Sequence, residues 1–304
     1  MNKPYEKQGE PSLAERSYIW KTAIGLQQVD GLTPSKYLVE TANANIQGEI
    51  SIHEAEQFIA DYYENRQEKN LPEDRTEEAD KVSVRIASVL CGQSFKLSPV
   101  ELLSIHKRLF NGIYDFAGQI RNFNISKKEW VLNGESVYYG DFNDIQAALD
   151  YDFDKEKAFD YANLDARNAV KHMAKFIADV WQTHAFSEGN TRATAVFAIK
   201  YLRTFGYDVS NNTFEKHSFY FRNALVRANY NDHKKGIKAT TLYLDCFFEN
   251  LLFGYNHPLQ NRGLHVDAKH SITEKLAMKK ALSADRTRDD PTEKKNPRRT
   301  DERE

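Results

Sequence analysis

A histidine, a carboxylate, a glycine and an arginine fall inside the ten residues Thr183-His184-Ala185-Phe186-Ser187-Glu188-Gly189-Asn190-Thr191-Arg192. That string suits phosphate chemistry. His184, with an unperturbed pKa of about 6.5, is able to take a proton from an attacking hydroxyl near neutral pH. Glu188 offers the hard oxygen preferred by a magnesium ion that also binds phosphate. Gly189, Asn190 and Thr191 open a helix, where unpaired N–H groups and the positive dipole end favour an anion. Gly189 lets the backbone approach closely, and Arg192 adds a permanently charged fork for phosphate oxygens. Phe186 is the apolar member and is expected to anchor the loop in the core.

Two helices must position this loop. Over 165–182, Val170, Met173, Ala174, Ile177 and Trp181 repeat with helical period, and Phe176 and Val180 widen the face. Lys171, Lys175, Asp179 and Gln182 form a narrow polar stripe, so the helix is expected to be mostly buried. The stretch from Ala195 to Phe205 is largely apolar and stops at Gly206 in the manner of a C-cap. A polar loop between two core helices is poor packing material and good site material.

The string resembles the signature of the Fic family (Fic/Doc fold), H-x-F-x-[D/E]-G-N-x-R-x-x-R, and matches it through Arg192. The resemblance implies a mainly α bundle with one β-hairpin flap. It implies transfer of a nucleotide monophosphate, usually AMP from ATP, onto a Ser, Thr or Tyr hydroxyl of a target protein, with Mg²⁺ and ATP required. Carried over, His184 becomes the general base and Glu188 the magnesium ligand. Gly189 and Asn190 become the anion cradle, with Thr191 beside the phosphates and Arg192 as a phosphate clamp. Asn229 and Tyr230 fall where the family holds the nucleotide base. The chain departs at Ala195, where the family's second arginine is missing. Losing one charge-assisted contact there costs about 1.5–3 kcal/mol, which an enzyme survives. Transfer of another nucleotide or of a phosphoryl group, and a silent nucleotide- or protein-binding module, stay open.

Residues 1–11 read as disordered. Ser12 to Glu15 form a capping box for a helix running to about Asp30 and ended by Gly31. Thr33-Pro34 opens a second helix with Pro in first position, ending near Gly48, and a capping box at Ser51 starts a third. This 12–65 segment is similar to the small antitoxin-like domains that accompany many Fic proteins, whose inhibitory helix carries [S/T]-x-x-x-E-[G/N]. The matching positions are Leu26, Asp30 and Gly31, so the inhibitory residue is Asp30, one methylene shorter than glutamate. With Ala195 opposite, the usual salt bridge is not expected to form.

Residues 66–78 read as a charged linker and 79–260 as the Fic domain. Helices are expected from about 79 to 91, from Ser98 through Leu109, over 141–156, from an Asn212 cap onward, and over 237–253. Between 116 and 139, alternation and Asn133-Gly134 predict the hairpin flap, with Ile125, Trp130 and Val131 as apolar clamps on the target. From 261 to 304 composition turns to mixed charge, a solvated tail with a weak helix over 268–282.

Composition excludes several classes. The chain has 304 residues, 40% hydrophobic and 12% aromatic, enough for a substantial core. A formal net charge of −2 gives no reason to expect nucleic acid. No apolar run approaches the roughly 18 residues of a membrane span, so no membrane partner is expected. Cys91 and Cys246 read as reduced core residues of a cytoplasmic protein. The target protein and the oligomeric state are not encoded in any pattern.

Overall fold

The computed structural model describes residues 11–65 and 75–267. Ten α-helices lie among them: α1 Leu13–Gly25, α2 Lys36–Gln47, α3 Ile52–Glu64, α4 Thr76–Cys91, α5 Pro99–Phe110, α6 Ile145–Lys157, α7 Ala166–Thr183, α8 Asn190–Thr204, α9 Thr213–Ala228 and α10 Leu242–Phe253. The chain is mainly α, as expected. The expected disorder before residue 11, most of the linker, and the weak helix over 268–282 fall outside the described residues. No helix among the described residues is long and apolar enough to cross a membrane.

Local chemistry starts these helices where it should. Ser12 and Glu15 close one capping box ahead of α1, and Ser51 and Glu54 close another ahead of α3. Ser98 caps α5, with Pro99 in the first turn. α2 differs from expectation. Its cap is Ser35, whose Oγ accepts from the Leu38 N–H, so the helix starts after Pro34. Asn212 makes no side-chain cap on α9; the Asn211 side-chain oxygen, Oδ1, takes the Thr213 N–H instead.

α7 and α8 form the centre, and every apolar residue read onto the α7 face is buried. α8 is buried from Asn190 through Leu202, with Ala195 wholly enclosed. α4 carries the N-terminal helices, with α1, α3 and α5 all packed against it. Asp80 of α4 is fully buried and receives Ser35 N–H, the Ser35 hydroxyl and the Tyr63 hydroxyl, the last at 2.8 Å. A buried carboxylate is tolerable only when so bonded, and here it ties α2 and α3 to α4. The described residues through Val266 belong to one compact unit. It runs past the boundary read at 260, because Leu264 is buried and its carbonyl accepts from Arg227 at 2.6 Å. Cys91 and Cys246 are free and only partly buried, less enclosed than expected.

α1 also docks on α9, and the contact leaves no room. A Cβ on Gly25 would lie 2.5 Å from Glu215 Cα, while the Gly25 carbonyl accepts from Ser218 Oγ at 2.6 Å. Gly25→Ala is therefore expected to cost about 1–3 kcal/mol as overpacking, read as a lower denaturation midpoint. After Gly25 the helix tightens into a 3₁₀ segment, Leu26–Asp30, closed by Gly31 at φ 69°. The single helix expected to Asp30 is thus split. The tighter turn buries Leu26 and Val29 and brings Gln27 and Asp30 to α8.

The hairpin over 116–139 is not built as strands. No strand ladder lies among the described residues, where an isolated β-bridge joins Asp232 and Ile237. Asn133 and Gly134 do make a turn, at φ 57° and 83°, but it follows a 3₁₀ turn at Trp130–Leu132. The loop closes through Glu129 N–H to the Glu135 carbonyl and Gly134 N–H to the Glu129 carbonyl, both 2.9 Å. Consecutive Val131 and Leu132 both turn inward, which breaks the alternation a ladder needs.

Candidate active site

α7 ends at the candidate base. His184 is the left-handed C-cap of α7, at φ 48°, and is buried. Its Nδ1 lies 3.1 Å from the Trp181 carbonyl oxygen. A carbonyl only accepts, so Nδ1 carries the proton and the lone pair sits on Nε2. Burial pushes the imidazole down to about 3, so it is neutral at physiological pH.

Phe186 anchors the loop as expected. It is buried and stacks on His106 of α5 at 3.7 Å. His106 itself was not singled out in the sequence. Its Nδ1 accepts the Gly118 N–H and its Nε2–H donates to the Glu188 carbonyl, both at 2.9 Å. Those partners fix one neutral tautomer, and burial lowers the group to about 4. A second unforeseen residue, Arg121, is buried beneath the loop. Its guanidinium donates to the carbonyls of His184, Phe123, Gly140 and Thr183, and its N–H to Ala185. A histidine inside a helical stripe and an arginine in an irregular loop give no periodic signal, so spacing does not reveal either.

The start of α8 departs from the expected division of labour. Gly189, at φ 78°, stands against Phe110, and its N–H donates to Glu188 Oε1 at 3.0 Å. The Glu188 carboxylate thus occupies the helix N-terminus where an anion belongs. Asn190 turns its side chain back to the loop, bonding the Phe186 N–H and carbonyl at 3.0 and 2.7 Å. Thr191 points into the core, its Oγ1 accepting from Trp181 Nε1 at 3.0 Å. Neither side chain is presented to phosphates; what the two residues offer an anion is backbone.

Arg192 requires the largest correction. Its side chain is 0% exposed, so it is not an open phosphate clamp. Nε lies 2.9 Å from Asp30 Oδ2, Nη2 lies 2.6 Å from Glu78 Oε1, and Nη1 donates to Gln27 Oε1 at 3.1 Å. The Phe110 ring covers the guanidinium at 4.8 Å. Asp30 therefore does find an arginine, although Ala195 supplies none: it pairs with the first arginine of the motif. Glu78, read as linker, lies in α4 and belongs to this cluster.

Asn229 and Tyr230, expected near the base, already have protein partners in this structure. Asn229 donates to the carbonyls of Ala178 and Leu225 at 2.9 and 3.1 Å, and the buried Tyr230 donates its hydroxyl to Glu135. On the loop over 116–139, Val131 is buried and cannot clamp a target, and Ile125 is half-buried. Trp130 is open at 51%, and Phe123 and Tyr138 add exposed aromatic surface at 51% and 87%. Lys127 of the same loop reaches the site, with Nζ 3.8 Å from Glu188 Oε1 and 4.0 Å from Asp30 Oδ1.

For a metal, the site offers one accessible carboxylate, since the Glu188 side chain is 38% exposed. No cluster of three or more His, Cys, Asp or Glu able to hold an ion lies among the described residues.

No solved structure matches the chain. Residues 96–202, which run from the start of α5 through most of α8 and contain the whole loop, match the Fic/DOC family. The chain carries a Fic/DOC-family domain.

Proposed function

We propose that the protein is a nucleotidyltransferase that moves AMP from ATP onto a Ser, Thr or Tyr hydroxyl of a target protein. The observation that carries this reading is the state of His184 at the end of α7: buried, with its proton fixed on Nδ1 by the Trp181 carbonyl and a lone pair left on Nε2. Nε2 takes the proton of the target hydroxyl as its oxygen attacks the α-phosphorus. The new O–P bond forms and the bond to pyrophosphate breaks. Backbone N–H groups at the start of α8 hold the charge that develops on phosphate oxygens, an arrangement that catalyses by positioning and electrostatics. Glu188 would hold Mg²⁺, which supplies charge neutralisation on the phosphates.

With Arg192 enclosed, Lys127 is the side-chain cation beside Glu188 that faces the opening, at 40% exposure. It serves as the ammonium for the nucleotide phosphates. Lys127→Ala is expected to raise KM for ATP about tenfold or more, the cost of one charge-assisted contact, while Lys128→Ala leaves it unchanged. The open aromatics Phe123, Trp130 and Tyr138 receive the target segment. Residues 12–65 act as an antitoxin-like regulatory domain that keeps Arg192 sequestered through Asp30.

The sequestered arginine also favours a second reading, a silent nucleotide-binding module. Label transfer from α-³²P-ATP with Mg²⁺ separates the two. Protein labelling by the intact chain or by Asp30→Ala, lost on His184→Ala, supports transfer. Nucleotide binding without labelling in either supports the silent module.

A further inference from the structure

His184 is held on three sides, and one side is not explained by its own helix. The Nδ1 bond to Trp181 fixes one edge of the ring, and the Trp181 indole meets it edge-on at 5.0 Å and 90°. Rotation of the imidazole plane remains. The Tyr139 ring lies across that plane, with centroids 3.9 Å apart and planes within 27°. Tyr139 is fixed at its far end. Its hydroxyl donates to Glu129 Oε1 at 3.2 Å, and Glu129 is fully buried against Arg222 of α9 at 2.7 Å. Its backbone is clipped to the last turn of α7 on both sides. Gln182 donates to the Tyr138 carbonyl at 3.1 Å, and the Gly140 N–H donates to the Gln182 carbonyl at 3.3 Å.

We propose that Tyr139 is a positioning residue for His184, its ring holding the imidazole plane and keeping water off that face. This deepens the transfer reading and rests on it for its kinetic consequence. Tyr139 touches no reacting atom. It acts on the direction of the Nε2 lone pair, and a base misaimed by an ångström loses about a hundredfold in rate. Lys127, Arg121 and Arg222, all cationic and all on other elements, disfavour the imidazolium, while the Glu129 and Glu188 carboxylates lie around the Tyr139 ring stacked on it. The cations and burial act together to keep it unprotonated, and removing the Tyr139 ring removes part of the burial.

Two readouts test the assignment in the full chain. The first is ¹⁵N NMR of the His184 imidazole, which needs no turnover. Wild type is expected to show a single Nδ1–H tautomer and no titration above pH 5. Tyr139→Leu, which fills volume without a stacking face, is expected to titrate closer to the ordinary histidine value and to mix tautomers. Tyr139→Phe keeps the stack and is expected to retain the wild-type signals. The second readout is label transfer. Tyr139→Leu is expected to lose about 10–100-fold in kcat with ATP KM unchanged, and Tyr139→Phe to recover most of it. His184 resonances that are the same in wild type and Tyr139→Leu overturn the assignment whatever the kinetics. A loss confined to KM overturns it too. A wild type that transfers no label sinks the transfer reading alone, and the NMR comparison still decides this one.

Discussion

His184→Ala and His184→Asn are each expected to lower label transfer about 10²–10⁴-fold, the range contributed by a positioned general base. Both should fold, but not equally well. Position 184 is left-handed, at φ 48°, and Asn accepts that conformation more readily than Ala, so the asparagine variant should show the higher denaturation midpoint. The pH profile carries a second expectation. Burial lowers the folded group to about 3, below its unfolded value of about 6.5. The base therefore stays unprotonated through neutrality, and kcat/KM should hold steady as pH falls through 6.5. The same depression means the unfolded chain binds a proton that the native site refuses. This contribution to stability is complete above about 6.5 and is lost as pH drops toward 3. Labelling that survives both substitutions would remove His184 from the role of base, whereas an acid limb near 6.5 in the wild type would overturn only the depressed pKa.

What the sequence made legible follows from where information is local. Helical period placed the buried faces of α7 and α8, and Ser12, Ser51 and Ser98 marked helix starts, because caps act within one turn. The loop over 183–192 was legible as candidate site chemistry for the same reason. Its partners were not. Arg192 reads as a free phosphate fork until Asp30 and Glu78 arrive from segments far away in the chain, and nothing in local spacing announces an ion pair of that kind. The partners of Asn229 and Tyr230, Ala178 and Glu135, are likewise remote in the chain. The hairpin misread has another origin. Turn chemistry at Asn133-Gly134 was right, but tertiary burial of Val131, Leu132 and Glu129 overrode strand alternation.

The Arg192 cluster yields the largest stability effect. Arg192→Ala leaves the Asp30 carboxylate, about nine-tenths buried, without the guanidinium it faces, and removes one of the cations paired with Glu78. Breaking a buried pair by deleting one partner costs about 3–5 kcal/mol, so thermal or denaturant unfolding should show a loss of that order. Asp30→Ala should cost much less, because Arg192 keeps Glu78 and Gln27, and Glu78 is also held by Arg75 and Tyr114 at 2.7 Å each. It should act on function instead. With Asp30 gone, one carboxylate no longer competes with nucleotide phosphates for the guanidinium and for Lys127, and label transfer should rise several-fold. Deleting residues 1–65 is the poorer test of regulation. It would strip α1 and the Leu26–Asp30 turn from α4 and α9, on which they pack, and loss of fold would mimic loss of function. If Asp30→Ala leaves both transfer and nucleotide affinity where they were, the N-terminal helices are scaffold, and Arg192 is a structural ion rather than a sequestered part of the site.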